Sequence, residues 1–103
     1  MTKPRTYVGI DEDMFAGMTS TGKIIRDAWV FELIPETETC KGWTGQGIDA
    51  LLQKVNNEWD KYGCLVRHLP PEILKRHERI HGDAIKRARD LGWSGEFETD
   101  DEG

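Results

Sequence analysis

Between Ile48 and Tyr62 the apolar residues Ile48, Leu51, Leu52, Val55, Trp59 and Tyr62 recur three, four, seven, eleven and fourteen positions after the first. That spacing is one face of an α-helix and does not fit the two-residue alternation of a strand. Thr44 stands where an N-cap hydroxyl would accept a backbone N–H, and Gly63 where a left-handed terminal residue would stop the helix. The pattern therefore predicts a helix over about 46–62.

A second helix is predicted over about 71–91. Pro70 and Pro71 cannot continue a helix but can open one, and Gly92 stops it. Along this segment Ile73, Leu74, Ile80, Ala84, Ile85 and Ala88 fall on one side. Lys75, Arg79 and Lys86 fall on the far side, with Arg76 and Arg87 on one flank and Arg89 on the other. Gly82 lies on the exposed face, where an unbroken helix tolerates it at a cost of ~1 kcal/mol relative to Ala.

The first third is less regular. Thr6–Ile10 suits a short strand, and the acidic run Asp11, Glu12, Asp13 reads as a solvated turn. Thr19, Ser20 and Thr21 are N-cap types ahead of Ile25, Ala28, Trp29 and Glu32, which suit a helix ended by Pro35, while Trp29–Ile34 also suits a buried strand. The fold class expected is mainly α, with α+β as the alternative. It forms one small domain over 1–95, in agreement with a chain of 103 residues that is 37% apolar and 32% charged.

Charge separates the end of the chain from its body. Glu96, Glu98, Asp100, Asp101 and Glu102 account for the net charge of −5, so the remainder holds 14 acids against 14 bases. The tail 96–103 is read as disordered and solubilising, and as a candidate mask over the basic helix face. A neutral body gains little from counterion release, which argues against nucleic acid as a partner. No run approaches 18 apolar residues and the N-terminus lacks a hydrophobic stretch behind its charges, so neither a membrane span nor a secretion signal is expected. Cys40 and Cys64, far apart and outside any C-x-x-C pair, fit reduced thiols in the cytoplasm.

Two motifs bear on chemistry. Gly17-Met18-Thr19-Ser20-Thr21-Gly22-Lys23 matches the start of a P-loop, but Ile24 stands where Ser or Thr should hold magnesium, so the segment reads as a loop capping the next helix. His77-Glu78-Arg79-Ile80-His81 spells H-E-x-x-H, in which histidines one helical turn apart bind zinc and the glutamate activates the metal-bound water. In these five positions the chain resembles the zincin metalloproteases. It departs from them in having Arg79 between the histidines and no third histidine beyond, where Lys86, Arg87, Ala88 and Arg89 stand. Further ligands, on this reading, come from His68 and Cys64, and Glu78 would be the base of a hydrolase.

The function expected from the residues is a non-catalytic protein-interaction or accessory module without a cofactor. Its partner surface would be Lys75, Arg76, Arg79, Lys86 and Arg87, with Trp93 as an edge anchor, since interface hot spots favour Trp and Arg. The alternative is a zinc protein, structural or hydrolytic, built on His77 and His81.

Overall fold

The computed structural model describes residues 6–93, which are mainly helical: α1 spans Ser20–Val30, α2 Gly45–Asp60 and α3 Pro71–Asp90. The two strongest periodic segments are α2 and α3, within two residues of the expected bounds. The ambiguous segment resolves as helix. Thr19 caps α1, accepting the Gly22 N–H at 3.1 Å, and Thr44 caps α2, accepting the Gly47 N–H at 3.2 Å. The α+β alternative is not realised among the described residues: Thr6–Ile10 makes one isolated antiparallel bridge, Thr6 to Thr44, and Trp29–Ile34 carries the end of α1. The acidic tail lies outside the described residues.

All three helices end by the same device. In each, a residue two or three beyond the last helical position is left-handed: Glu32 (φ 58°) after Val30, Gly63 (φ 63°) after Asp60 and Gly92 (φ 100°) after Asp90. Paired backbone bonds close each end: Leu33 N to Ala28 O with Glu32 N to Trp29 O, Cys64 N to Trp59 O with Gly63 N to Asp60 O, and Trp93 N to Ala88 O with Gly92 N to Arg89 O. These are Schellman closures, which satisfy carbonyls that the helix leaves over. Gly63 and Gly92 were legible as stops. Glu32 was not, because a side chain there bears the left-handed strain that glycine avoids.

Helix α1 is the central element, with α2 packed on one side and α3 on another. Its Ile25, Ala28 and Val30 are fully buried, and Ile25 and Ala28 join Ile10, Cys40, Leu51 and Val55 in the core, closed over by Tyr7, Ile24, Trp29, Trp43 and Trp59. Burial pushes the Cys40 thiol up to about 11, helped by the nearby Glu38 carboxylate, which keeps it protonated and unreactive. Before α1 the chain winds through two short 3-10 turns, Ile10–Glu12 and Met14–Ala16. Asp13 ties them down: its Oδ2 accepts from the Tyr7 hydroxyl at 2.7 Å and from Thr19 Oγ1 at 2.6 Å. Among the described residues, no helix is long and apolar enough to cross a membrane.

Candidate metal centre

Asp27 lies in the stripe Ile24, Asp27, Ala28, Phe31 of α1, so the amphipathic pattern that buries its neighbours buries it too. Its side chain is only 4% exposed. An ionised carboxylate in such a place needs hydrogen bonds on every lone pair it can satisfy. Its two oxygens divide the task. Oδ2 accepts from the Trp59 indole N–H of α2 at 3.2 Å and from the Lys23 ammonium, one turn earlier, at 3.2 Å. Oδ1 faces His81 Nε2 of α3 at 3.0 Å.

The two histidines arrive together because positions four apart share a helix face. Their rings lie 4.3 Å apart between centroids, and the Trp59 ring meets His77 edge-on at 6.1 Å. Phe31 continues this aromatic seam, edge-on to Trp59 at 5.1 Å and stacked on Tyr62 at 6.2 Å. Asp27, His77 and His81 each bring a ligand atom within 4.8 Å of the others. The cluster therefore draws on α1 and α3 directly, with α2 supplying the indole.

Electrostatics prepare these groups in complementary ways. Burial alone would raise the Asp27 pKa, but the His81 hydrogen bond, the charge of Lys23, the charge of His81 and the Trp59 hydrogen bond together hold it below the ordinary carboxylate value. His77 is pushed below the ordinary imidazole value by burial first and by His81 second. At neutral pH the result is a carboxylate beside an imidazole with a free lone pair.

The other residues singled out from the sequence are placed elsewhere. His68 and Cys64 are exposed on the α2–α3 connection, where His68 Nδ1 lies 3.0 Å from Tyr62 O and Cys64 Sγ 3.9 Å from Asp60 Oδ1. Among the described residues they do not join the histidine pair. The third ligand-type residue is Asp27, which sequence reasoning missed although an acid within an apolar helical stripe was its signal. Glu78 is exposed and lines a shallow hollow with Pro71, Glu72, Leu74 and Lys75.

Three of the five basic residues reach across α3 to this chain's own first half. Arg76 donates from Nε to the Val30 carbonyl at 2.7 Å, with Glu32 3.8 Å from its guanidinium. Arg79 forms a two-pronged pair with Glu36 at 2.8 and 2.9 Å, and Arg87 pairs with Asp11 at 3.0 Å. Lys75 and Lys86 are exposed, and Trp93 is half-buried with its N–H in the closure of α3. Between α1 and α3 runs a cleft of about 160 Å³ lined by Ile80, Ala84 and the buried Arg26. Arg26 gives Nη1 to the Gly17 carbonyl at 2.7 Å, and its Nε has no acceptor among the described residues.

The arrangement can do one thing without rearranging its backbone. Two imidazoles and a carboxylate are a donor set for a borderline divalent cation, and ligand atoms around a tetrahedral zinc lie about 3.3 Å apart, close to the Asp27–His81 separation. Comparison with protein-family models, with curated proteins and with solved structures finds no match, which leaves the geometry of Asp27, His77 and His81 as the ground for a function.

Proposed function

We propose that this protein binds zinc through Asp27, His77 and His81, and that the metal clamps α3 onto α1. The observation that carries the reading is the division of labour on Asp27. Its Oδ2 is held by Trp59 and Lys23 while Oδ1 is directed at His81. A carboxylate ligand fixed through its outer oxygen is how outer-sphere contacts orient a metal site. Zinc in place of the proton shared by Asp27 and His81 would join two elements 50 residues apart in the chain. It would add the free energy of metal binding to that of folding. The exposed position of Glu78 favours a binding and stabilising role over hydrolysis.

The test is elemental analysis of untagged protein purified without added metal, followed by a zinc titration of wild type, D27N and the H77A/H81A double variant. One tightly held zinc per chain, lost in both variants, is the expected result. Absence of saturable one-to-one binding in wild type overturns the proposal.

A second reading is favoured by a different observation. Lys75 and Lys86 are exposed on α3, and Ile85 and Leu91 are exposed apolar residues of the same segment. This supports a surface for an acidic protein partner, narrower than the five-residue face because Arg76, Arg79 and Arg87 already hold acceptors of this chain. A K75E/K86E variant with unchanged affinity for a partner isolated on the wild type would exclude it.

A further inference from the structure

We infer that the cleft between α1 and α3 binds a small monocarboxylate with a short apolar tail, and that the Arg26 guanidinium in its wall receives the carboxylate. The cleft is separate from the Asp27–His77–His81 centre, since none of those three residues lines it. Arg26 is 2% exposed, and among the described residues it forms no ion pair. A buried guanidinium is ordinarily matched by a carboxylate, because taking its charge out of water is costly.

The acids whose charges reach Arg26 are Asp27 and Asp13, and both have their oxygens engaged elsewhere. Asp27 is held by Lys23, Trp59 and His81, and Asp13 by Tyr7, Thr19 and the Met14 N–H. Burial lowers the Arg26 pKa in spite of them. The Nη1 bond to the Gly17 carbonyl brings a dipole and no charge, and the Nε N–H is left over. A buried donor without an acceptor is the group that an incoming anion can satisfy.

The rest of the wall selects the ligand. Ile10, Ala16, Trp29, Ile80 and Ala84 give it an apolar lining. Its volume of about 160 Å³ is close to that of an apolar cavity that holds one benzene, roughly 150 Å³, so a tail of about three to five carbons fits beside the carboxylate. Charges at the rim limit the head group to a single negative charge. Arg79 and Arg87 are already paired with Glu36 and Asp11, and Asp83 on the same rim opposes further negative charge. The backbone beside Arg26 is strained as well. Phe15, Ala16 and Gly17 are left-handed in succession, at φ 48°, 56° and 96°, which the side chains of the first two resist. That turn sets Ala16 in the cleft wall and the Gly17 carbonyl on Arg26, and strain of this kind gathers where a fold is shaped around a ligand.

The experiment records proton–nitrogen correlation spectra of the full chain during titration with butyrate, butanol or butylammonium at constant pH and ionic strength, in wild type, Arg26→Gln and Ala84→Leu. Butyrate should shift the Arg26 Nε–H and the Trp29 indole N–H saturably, with an affinity roughly tenfold or more above that of either analogue, the size of a hydrogen bond to a charged group. The Trp29 indole serves as reporter because it is fixed on the Glu38 carbonyl at 3.0 Å and Trp29 lines the cleft. Ala84→Leu fills the cleft and leaves Arg26 intact, so it should keep the wild-type circular dichroism and bind butyrate roughly tenfold more weakly. Arg26→Gln should lose the preference for butyrate over butanol, and if that variant does not fold, Ala84→Leu still decides. Butyrate shifts that do not saturate, equal affinity for all three probes, or wild-type affinity in Ala84→Leu overturn the inference.

Discussion

Asp27 connects three helices through short side-chain contacts to Lys23, Trp59 and His81, and its protonation and that of His77 should divide the acid response of the fold into two windows. The His77 pKa is lowered from 6.5, so between its folded value and 6.5 the unfolded chain binds the additional proton. Stability then rises with pH across that window and declines as pH falls below 6.5. The Asp27 pKa is lowered from 3.8, so its contribution is fully present above 3.8 and is lost as pH falls through the folded value. Thermal midpoints measured from pH 8 to pH 3 should decline in two steps. His77→Gln should remove the upper step and Asp27→Asn the lower. A single step unaffected by either substitution would show that other groups govern the response.

The helices themselves were legible in the sequence because their apolar spacing, caps and stops agreed with one another, as for Thr44, Ile48–Tyr62 and Gly63. Helix α1 was ambiguous because Trp29–Ile34 is rich enough in bulky apolar residues to pass for a strand, and because the glutamate at its left-handed end hid the stop. The candidate site was half legible. The H-E-x-x-H spacing put His77 and His81 one turn apart on α3, but Asp27 comes from 50 residues earlier, and nothing local in the motif specifies which helix will face it. Likewise the segregation of Lys and Arg on α3 was visible, whereas their capture by Glu36, Asp11 and Val30 depended on how α3 docks.

Two glycines give predictions at this scale. A Cβ on Gly82 meets nothing within 4 Å, so Gly82→Ala should stabilise α3 by ~1 kcal/mol and raise the thermal midpoint by about 4–8 °C. A Cβ on Gly22 would lie 2.0 Å from the Gly17 carbonyl oxygen, so Gly22→Ala should cost about 1–3 kcal/mol by pushing the cap of α1 away from the preceding turn. The opposite signs, read from denaturant midpoints, test where α1 and α3 are crowded.

At the scale of the whole molecule, α3 is held to the rest by contacts of unequal depth. Arg76 is partly buried and gives its N–H to the last carbonyl of α1, whereas Arg79 and Glu36 are both near half exposed. Exposed ion pairs contribute little because solvent screens them and ordering two long side chains has a cost. Arg76→Met should therefore lower stability by ~1–2 kcal/mol, since it leaves the Val30 carbonyl without its donor. Arg79→Gln should leave the urea midpoint unchanged. Equal losses in the two variants would mean that the rim pairs, and not the buried donor, dock α3.

The position of α1 bears on the order in which this chain acquires its shape. Both longer helices pack against it, and its 11 residues fall below the length at which an isolated helix persists in water. Neither α2 nor α3 can use its apolar face until α1 exists, and α1 cannot persist until at least one of them holds it. The nucleus for folding must then contain α1 together with α2 or α3, so α2 and α3, although consecutive in the chain, cannot pair into a stable waystation without it.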